Sequence, residues 1–130
     1  MKPAFLDVED LVSIVDEIGV GPIRDLGILD SAAQRPQTFL GGQYVYRDEC
    51  EMAAALLESI GRNHPLVDGN NRLGWVATYT FLALNSLDLD APEDDAYNLV
   101  IGVVTGNIPL AVSAESLRGW TRPRATLHRE

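Results

Sequence analysis

The sequence predicts a mainly α fold: a single-domain bundle of about six helices around a buried central helix, with a short β-hairpin flap. Three observations carry that prediction. The chain has 130 residues, the size of one ordinary domain. Apolar residues recur at helical spacing through several segments, while a β pattern is confined to one stretch around a glycine pair. Finally, LGWVATYTFLALN (Leu73 to Asn85) is apolar on nearly every side, as expected of a helix enclosed by its neighbours.

In chain order, DVEDLVSIVDEI sets Leu11, Ile14, Val15 and Ile18 on one helical face, with Asp7 as N-cap and acids in the first turn. GVGPIRDLG breaks it. A short helix through LDSAAQ ends at Arg35-Pro36, because proline cannot extend the hydrogen-bond ladder. The β-prone runs Thr38–Leu40 and Tyr44–Tyr46 flank Gly41-Gly42 and place the flap at about residues 37–46. From Asp48 the spacing is helical again through Ala53, Leu56, Leu57 and Ile60, with Gly61 as terminator. A polar loop, residues 64–72, leads into the Leu73–Leu84 helix, around which the bundle is expected to form. DAPEDDAYNLVIGVV opens a further helix, with Asp90 as cap, Pro92 in the first turn and Glu93 three residues on. SAESLRGW makes a short last helix, and residues 121–130 read as a solvated, mobile tail.

Composition narrows the function. Apolar residues make up 46% and charged residues 22%, the balance of an ordinary soluble globular protein. No apolar run approaches the ~20 residues of a membrane span. MKPAFLDVEDLV lacks a signal core and a cleavage site, so cytoplasmic residence without membrane contact is expected. Cys50 stands alone in a helical segment with no base nearby and reads as packing. With only His64 and His128, a multi-histidine metal site is not expected. The net charge of −9 weighs against direct nucleic acid binding, which clustered Lys and Arg carry.

The chemistry concentrates in HPLVDGNNRLGW, His64 to Trp75. The start of a helix presents unpaired N–H groups and a partial positive charge, which favour anions. Gly69 permits a tight turn and a close approach to a ligand. Arg72 adds a charged fork suited to phosphate oxygens. Asp68 is a hard oxygen ligand of the kind Mg²⁺ takes beside substrate phosphates. His64 can accept a proton from a hydroxyl near neutral pH. Together these suit phosphoryl or nucleotidyl transfer. Each residue also has a plainer role: His64 as a helix cap, Asp68-Gly69-Asn70 as a turn and N-cap, Arg72 as a surface ion pair. Spacing alone leaves both readings open.

His64-Pro-Leu-Val-Asp68-Gly69-Asn70-Asn71-Arg72 resembles the motif of the Fic/Doc superfamily, H-P-F-x-D/E-G-N-G/K-R. The resemblance covers about half the chain, from LDSAAQRPQTF to FLALN, and is similar to the Doc (death-on-curing) toxins. It implies that His64 is the general base on a target-protein hydroxyl and that Asp68 holds Mg²⁺ on the phosphates of ATP. Gly69, Asn70, Asn71 and Arg72 then form the nucleotide site. It also implies a flap, Thr38–Val45, that docks the target as an added strand; Thr38, Phe39, Leu40 and Gly41 are its candidate residues. The activity implied is growth-arresting transfer of the ATP γ-phosphate to a translation factor, elongation factor Tu. A cognate antitoxin is implied as restraint, its C-terminal segment folding onto an apolar groove of the toxin.

Two positions depart from the pattern. Leu66 replaces the phenylalanine that anchors the loop, which costs packing volume rather than chemistry. Asn71 stands where glycine accompanies AMP transfer and lysine accompanies the kinase. An AMP transferase and an inactive Fic-fold binding module are therefore alternatives. A phosphohydrolase is disfavoured, because one nearby carboxylate and two histidines are thin for a two-metal site. The inhibitory motif S/T-x-x-x-E-G/N of many Fic proteins has no match; Ser113–Leu117 lacks the glutamate.

Overall fold

The computed structural model describes residues 2–124. It contains α1 (Val8–Ile18), α2 (Leu26–Gln34), a 3-10 turn (Arg35–Gln37), β1 (Phe39–Leu40), β2 (Gln43–Tyr44), α3 (Glu49–Asn63), α4 (Asn70–Leu84), β3 (Leu87–Leu89), α5 (Glu93–Val104), α6 (Leu110–Trp120) and β4 (Thr121–Pro123). The mainly α bundle of six helices is thus the observed architecture. No helix of the described residues is long and apolar enough to cross a membrane.

Local chemistry starts the elements where the sequence places them. Asp7 caps α1 through a reciprocal pair: its Oδ1 accepts from the Asp10 amide (2.9 Å), and Asp10 Oδ2 accepts from the Asp7 amide (2.9 Å). Asp48 caps α3, accepting from the Glu51 amide at 2.8 Å. Gly41 and Gly42 take φ of 61° and 85°, the paired positive values a two-residue hairpin turn requires. Phe39 therefore pairs with Tyr44 and Leu40 with Gln43.

Four expectations are corrected. The bundle is built around α3 rather than the Leu73–Leu84 helix. Ten of the fifteen α3 residues are buried against seven of fifteen in α4. The small side chains Ala53, Ala54 and Ala55 let α2, α4, α5 and α6 close on α3 from several sides. Gly61 does not end α3: the helix runs to Asn63. A Cβ at Gly61 would lie 2.5 Å from Val104 Cγ2, so this glycine serves close packing on α5. Asp90 does not cap α5, which starts at Glu93 after Pro92; proline biases Ala91 towards extended backbone, and the Asp90 amide donates to Trp120 O instead. Thr121–Pro123 are not loose tail but pair with Leu87–Leu89, and the Arg124 amide donates to Ser86 O at 2.8 Å. The rest of the expected tail, 125–130 with His128, lies outside the described residues.

Cys50 is buried with its thiol 3.7 Å from Thr121 Oγ1, and burial pushes that thiol up from its ordinary pKa, the reverse of nucleophile activation.

Packing rather than termination explains Gly61, and this is checkable. Gly61→Val forces two side chains into one space at the α3–α5 contact and is expected to cost about 1–3 kcal/mol in urea unfolding. An unchanged midpoint contradicts the packing assignment.

Candidate functional site

The segment between α3 and α4 is shaped from both sides. His64 follows α3 in the left-handed conformation, φ 53° and ψ 64°. That conformation costs a non-glycine residue about 1–2 kcal/mol. Arg24 supports it: Nε donates to His64 O at 2.8 Å and Nη2 to Asn63 O at 3.1 Å. These are carbonyls that the end of a helix leaves without intrahelical partners.

Residues 20–25 run along the loop as a strap. The Arg24 and Asp25 amides donate to Pro65 O (2.7 and 3.1 Å), Val67 to Pro22 O (2.9 Å) and Gly21 to Asp68 O (3.0 Å). Ile23 and Leu66 form an antiparallel bridge. Gly69 has φ 91°, and a Cβ there would lie 2.5 Å from Val20 Cβ. The tight turn expected at Gly69 is present, but the close neighbour its missing side chain admits is Val20 of the strap. Leu66 is 1% exposed and fills the anchoring position.

From inside the loop Asn70 completes the frame. It is the first residue of α4 and is buried. Its Oδ1 accepts from the Leu66 amide at 2.9 Å, and its Nδ2 donates to Leu66 O at 3.0 Å. Nδ2 also lies 3.4 Å from His64 Nδ1. That contact is at the long limit of hydrogen bonding, so it places the ring without fixing its tautomer. His64 is exposed.

No side chain among the described residues caps α4, so the N–H groups of its first turn are left to a ligand or solvent. Asp68 and Arg72 are both exposed, and neither enters the ion pairs among the described residues. The plainer reading of Arg72 as a surface ion pair is thus not what the fold shows. Asn71 and Arg72 line a cavity of about 650 Å³ between α4 and α5, walled by Trp75, Tyr79 and Tyr97, with Asp90 and Glu93 also on its lining. That volume lies within the range of small-molecule sites, roughly 300–1,000 Å³. His64 and Asp68 are not among its lining residues. The structure therefore brings His64 to Asn70, and Asn71 and Arg72 to the cavity, on a single turn of chain.

Thr38, Phe39, Leu40 and Gly41 lie on or at the root of the hairpin, with Phe39 59% and Leu40 74% exposed. Thr38 also lines a polar cleft of about 400 Å³ together with Arg35, Ser59 and Asn63. The flap root and the residue preceding His64 thus share one cleft.

Among the described residues no group of three or more His, Cys, Asp or Glu could hold a metal ion. A resident metal does not fit this donor set. A lone exposed carboxylate, Asp68, beside a helix start without a side-chain cap does fit Mg²⁺ arriving with phosphates, which needs only one or two protein carboxylates.

Sequence reasoning missed Arg24, the strap and the aromatic wall from α5. GVGPIRD signalled only a helix break, and nothing local marks Arg24 as a partner of a residue forty positions on.

Residues 5–82, spanning flap, loop and most of α4, match the Fic/DOC family. Over 127 residues the chain is 39% identical to the protein named Toxin Doc of Mycolicibacterium smegmatis (strain ATCC 700084 / mc(2)155), covering 94% of this chain and 97% of that protein.

Asn70 gives the site its test. Asn70→Ala orphans a buried N–H and a buried C=O of Leu66, and at about 1–3 kcal/mol per orphaned group roughly 2–6 kcal/mol of unfolding free energy should be lost. A loss below about 0.5 kcal/mol, the size of an ordinary surface change, means the strap alone holds the loop.

Proposed function

The chain belongs to the Fic/DOC family, and on that premise we propose that it is the toxin of a toxin–antitoxin pair, a kinase of protein hydroxyls using ATP and Mg²⁺. Its target in this reading is a translation factor, elongation factor Tu, and its place of action the cytoplasm. The observation that carries the reading is Asn70: one side chain contacts His64 at the uncapped start of the helix that carries Arg72, which enters no ion pair among the described residues.

In this reading the first-turn N–H groups of α4 and the Arg72 guanidinium hold phosphate oxygens, which the helix dipole also favours. Asp68 is the carboxylate that holds Mg²⁺, and bound Mg²⁺ supplies charge neutralisation on the phosphates. His64 takes the proton of the target hydroxyl as its oxygen bonds to the γ-phosphorus and the bond from that phosphorus to the β-phosphate oxygen breaks, ADP leaving, so the ring must be neutral for this step. The flap aligns the target by strand addition, for which backbone complementarity suffices; Phe39 and Leu40 supply exposed apolar surface beside it. The Asp90 and Glu93 carboxylates on the lining of the α4–α5 cavity repel phosphate, whereas Arg72 on the same lining attracts it, so in this reading the phosphates lie against Arg72. The aromatic walls offer an antitoxin segment an apolar bed, and a segment lying there would exclude the nucleotide.

Asn71 favours a second reading, AMP transfer. It faces the cavity without the charge of a lysine, so nothing at that position selects the nucleotide pose by charge.

Labelled ATP separates the two. Incubation with elongation factor Tu is expected to place γ-label on the factor; α-label there instead establishes AMP transfer, and neither label means this factor is not the acceptor. His64→Asn is the matching variant, because asparagine tolerates left-handed backbone and lacks a neutral-range base. It should abolish growth arrest while unfolding stability moves by no more than about 0.5 kcal/mol. Arrest that survives this change points to a binding module.

A further inference from the structure

We infer that Arg35 is a positioning residue that registers the flap to the helix carrying His64; this rests on the target-docking role just proposed for the flap. The flap has two residues in each strand, and an isolated two-stranded hairpin of that size is marginal in water. Tyr44 rests its ring on Phe5, centroids 5.7 Å apart, and the register of the flap must come from what grips its ends. Both ends reach Arg35. On the entering side, Arg35 O accepts from the Thr38 amide (3.1 Å) and from Thr38 Oγ1 (2.7 Å). On the leaving side, Arg35 Nε donates to Tyr46 Oη at 2.9 Å, with the guanidinium 5.7 Å from the centre of the Tyr46 ring. Thr38 O in turn accepts from the Val45 amide at 2.9 Å, closing the hairpin above the clamp.

The other end of the fork is fixed to α3. Nη1 lies 2.9 Å from Glu58 Oε1 and donates to Ser59 Oγ at 3.0 Å and to Ala55 O at 3.4 Å. Burial lowers the guanidinium's pKa, but bonding to Tyr46 and Glu58 outweighs it, so Arg35 is more firmly charged than usual. Ser59 precedes His64 by five residues of helix, roughly 7–8 Å of axial rise. One planar group thus spans from the flap root to the rod that ends at the proton acceptor. A lysine supplies the charge but not the fork, so it can hold α3 or Tyr46 but not both in fixed geometry.

A strand added to the flap presents its hydroxyl at a depth set by this register. Displacement of about 1 Å costs a transfer reaction about 100-fold, and a loose flap adds ordering cost to target binding. Arg35 touches neither phosphate nor the reacting hydroxyl in this scheme. Its effect therefore falls on the protein acceptor and spares the nucleotide.

The test uses the whole chain with Arg35→Met, Arg35→Lys and, as the mildest change, Tyr46→Phe. Backbone NMR order parameters for Leu40–Tyr44 should fall from the rigid range near 0.85 to below about 0.6 in Arg35→Met, with α3 unchanged. With elongation factor Tu as acceptor, kcat/KM for the factor should fall by about tenfold or more while KM for ATP stays within about twofold, since one lost charge-assisted contact of about 1.4 kcal/mol or more corresponds to a factor of about ten. Arg35→Lys should recover part of the loss. If Arg35→Met fails to fold, Tyr46→Phe carries the same two readouts. Unchanged flap order parameters, or a loss confined to ATP, overturn the assignment. If the wild-type chain labels no acceptor, the functional reading fails while the order parameters still decide whether Arg35 fixes the flap.

Discussion

The site depends on two hydrogen bonds between the Asn70 side chain and the backbone of Leu66. A loop that enters a buried helix must satisfy its polar groups away from water, because each orphan there costs about 1–3 kcal/mol. An asparagine supplies a donor and an acceptor at once, so one side chain serves both groups of one residue. With Leu66 held, the chain turns back on itself within four residues, and α4 begins beside His64 rather than away from it. The strap from residues 20–25 and the Arg24 fork do the same from outside. The left-handed backbone at His64 persists because both supports act on it.

Much of the fold was legible because its signals are local. The cap at Asp7, the glycine pair of the flap and the apolar spacing of α1 and α3 need only neighbouring residues to be read. What failed was long-range. Gly61 carries the mark of a helix terminator, yet its space is taken by Val104, which no local window contains. β3 and β4 are three residues each and lie more than thirty apart, so neither stretch signals a strand without its partner. The choice of α4 as central rod followed from its apolar composition. Burial follows instead from how closely neighbours approach, and the alanines of α3 win that contest.

The candidate site was legible to a comparable degree. Its loop was found through residue types with convergent chemistry, and the fold brings His64 and Asn70 to within contact. The cavity wall was not, because Trp75 and Tyr79 read as buried core and Tyr97 as one more helical residue. Charge adds a polarity no motif expresses: Arg72 on the lining near the loop, Asp90 and Glu93 on the lining from the α5 side, in a chain of net charge −9.

In the proposed function the start of α4 is an anion site served by His64. A crystal structure of this chain with ATP and Mg²⁺ tests it most directly. Phosphate oxygens are expected within about 2.7–3.2 Å of the first-turn amides of α4 and of Arg72, with the His64 ring facing the phosphoryl group to be transferred. Phosphates bound elsewhere, or a nucleotide whose phosphates leave both the α4 amides and Arg72 untouched, contradict it.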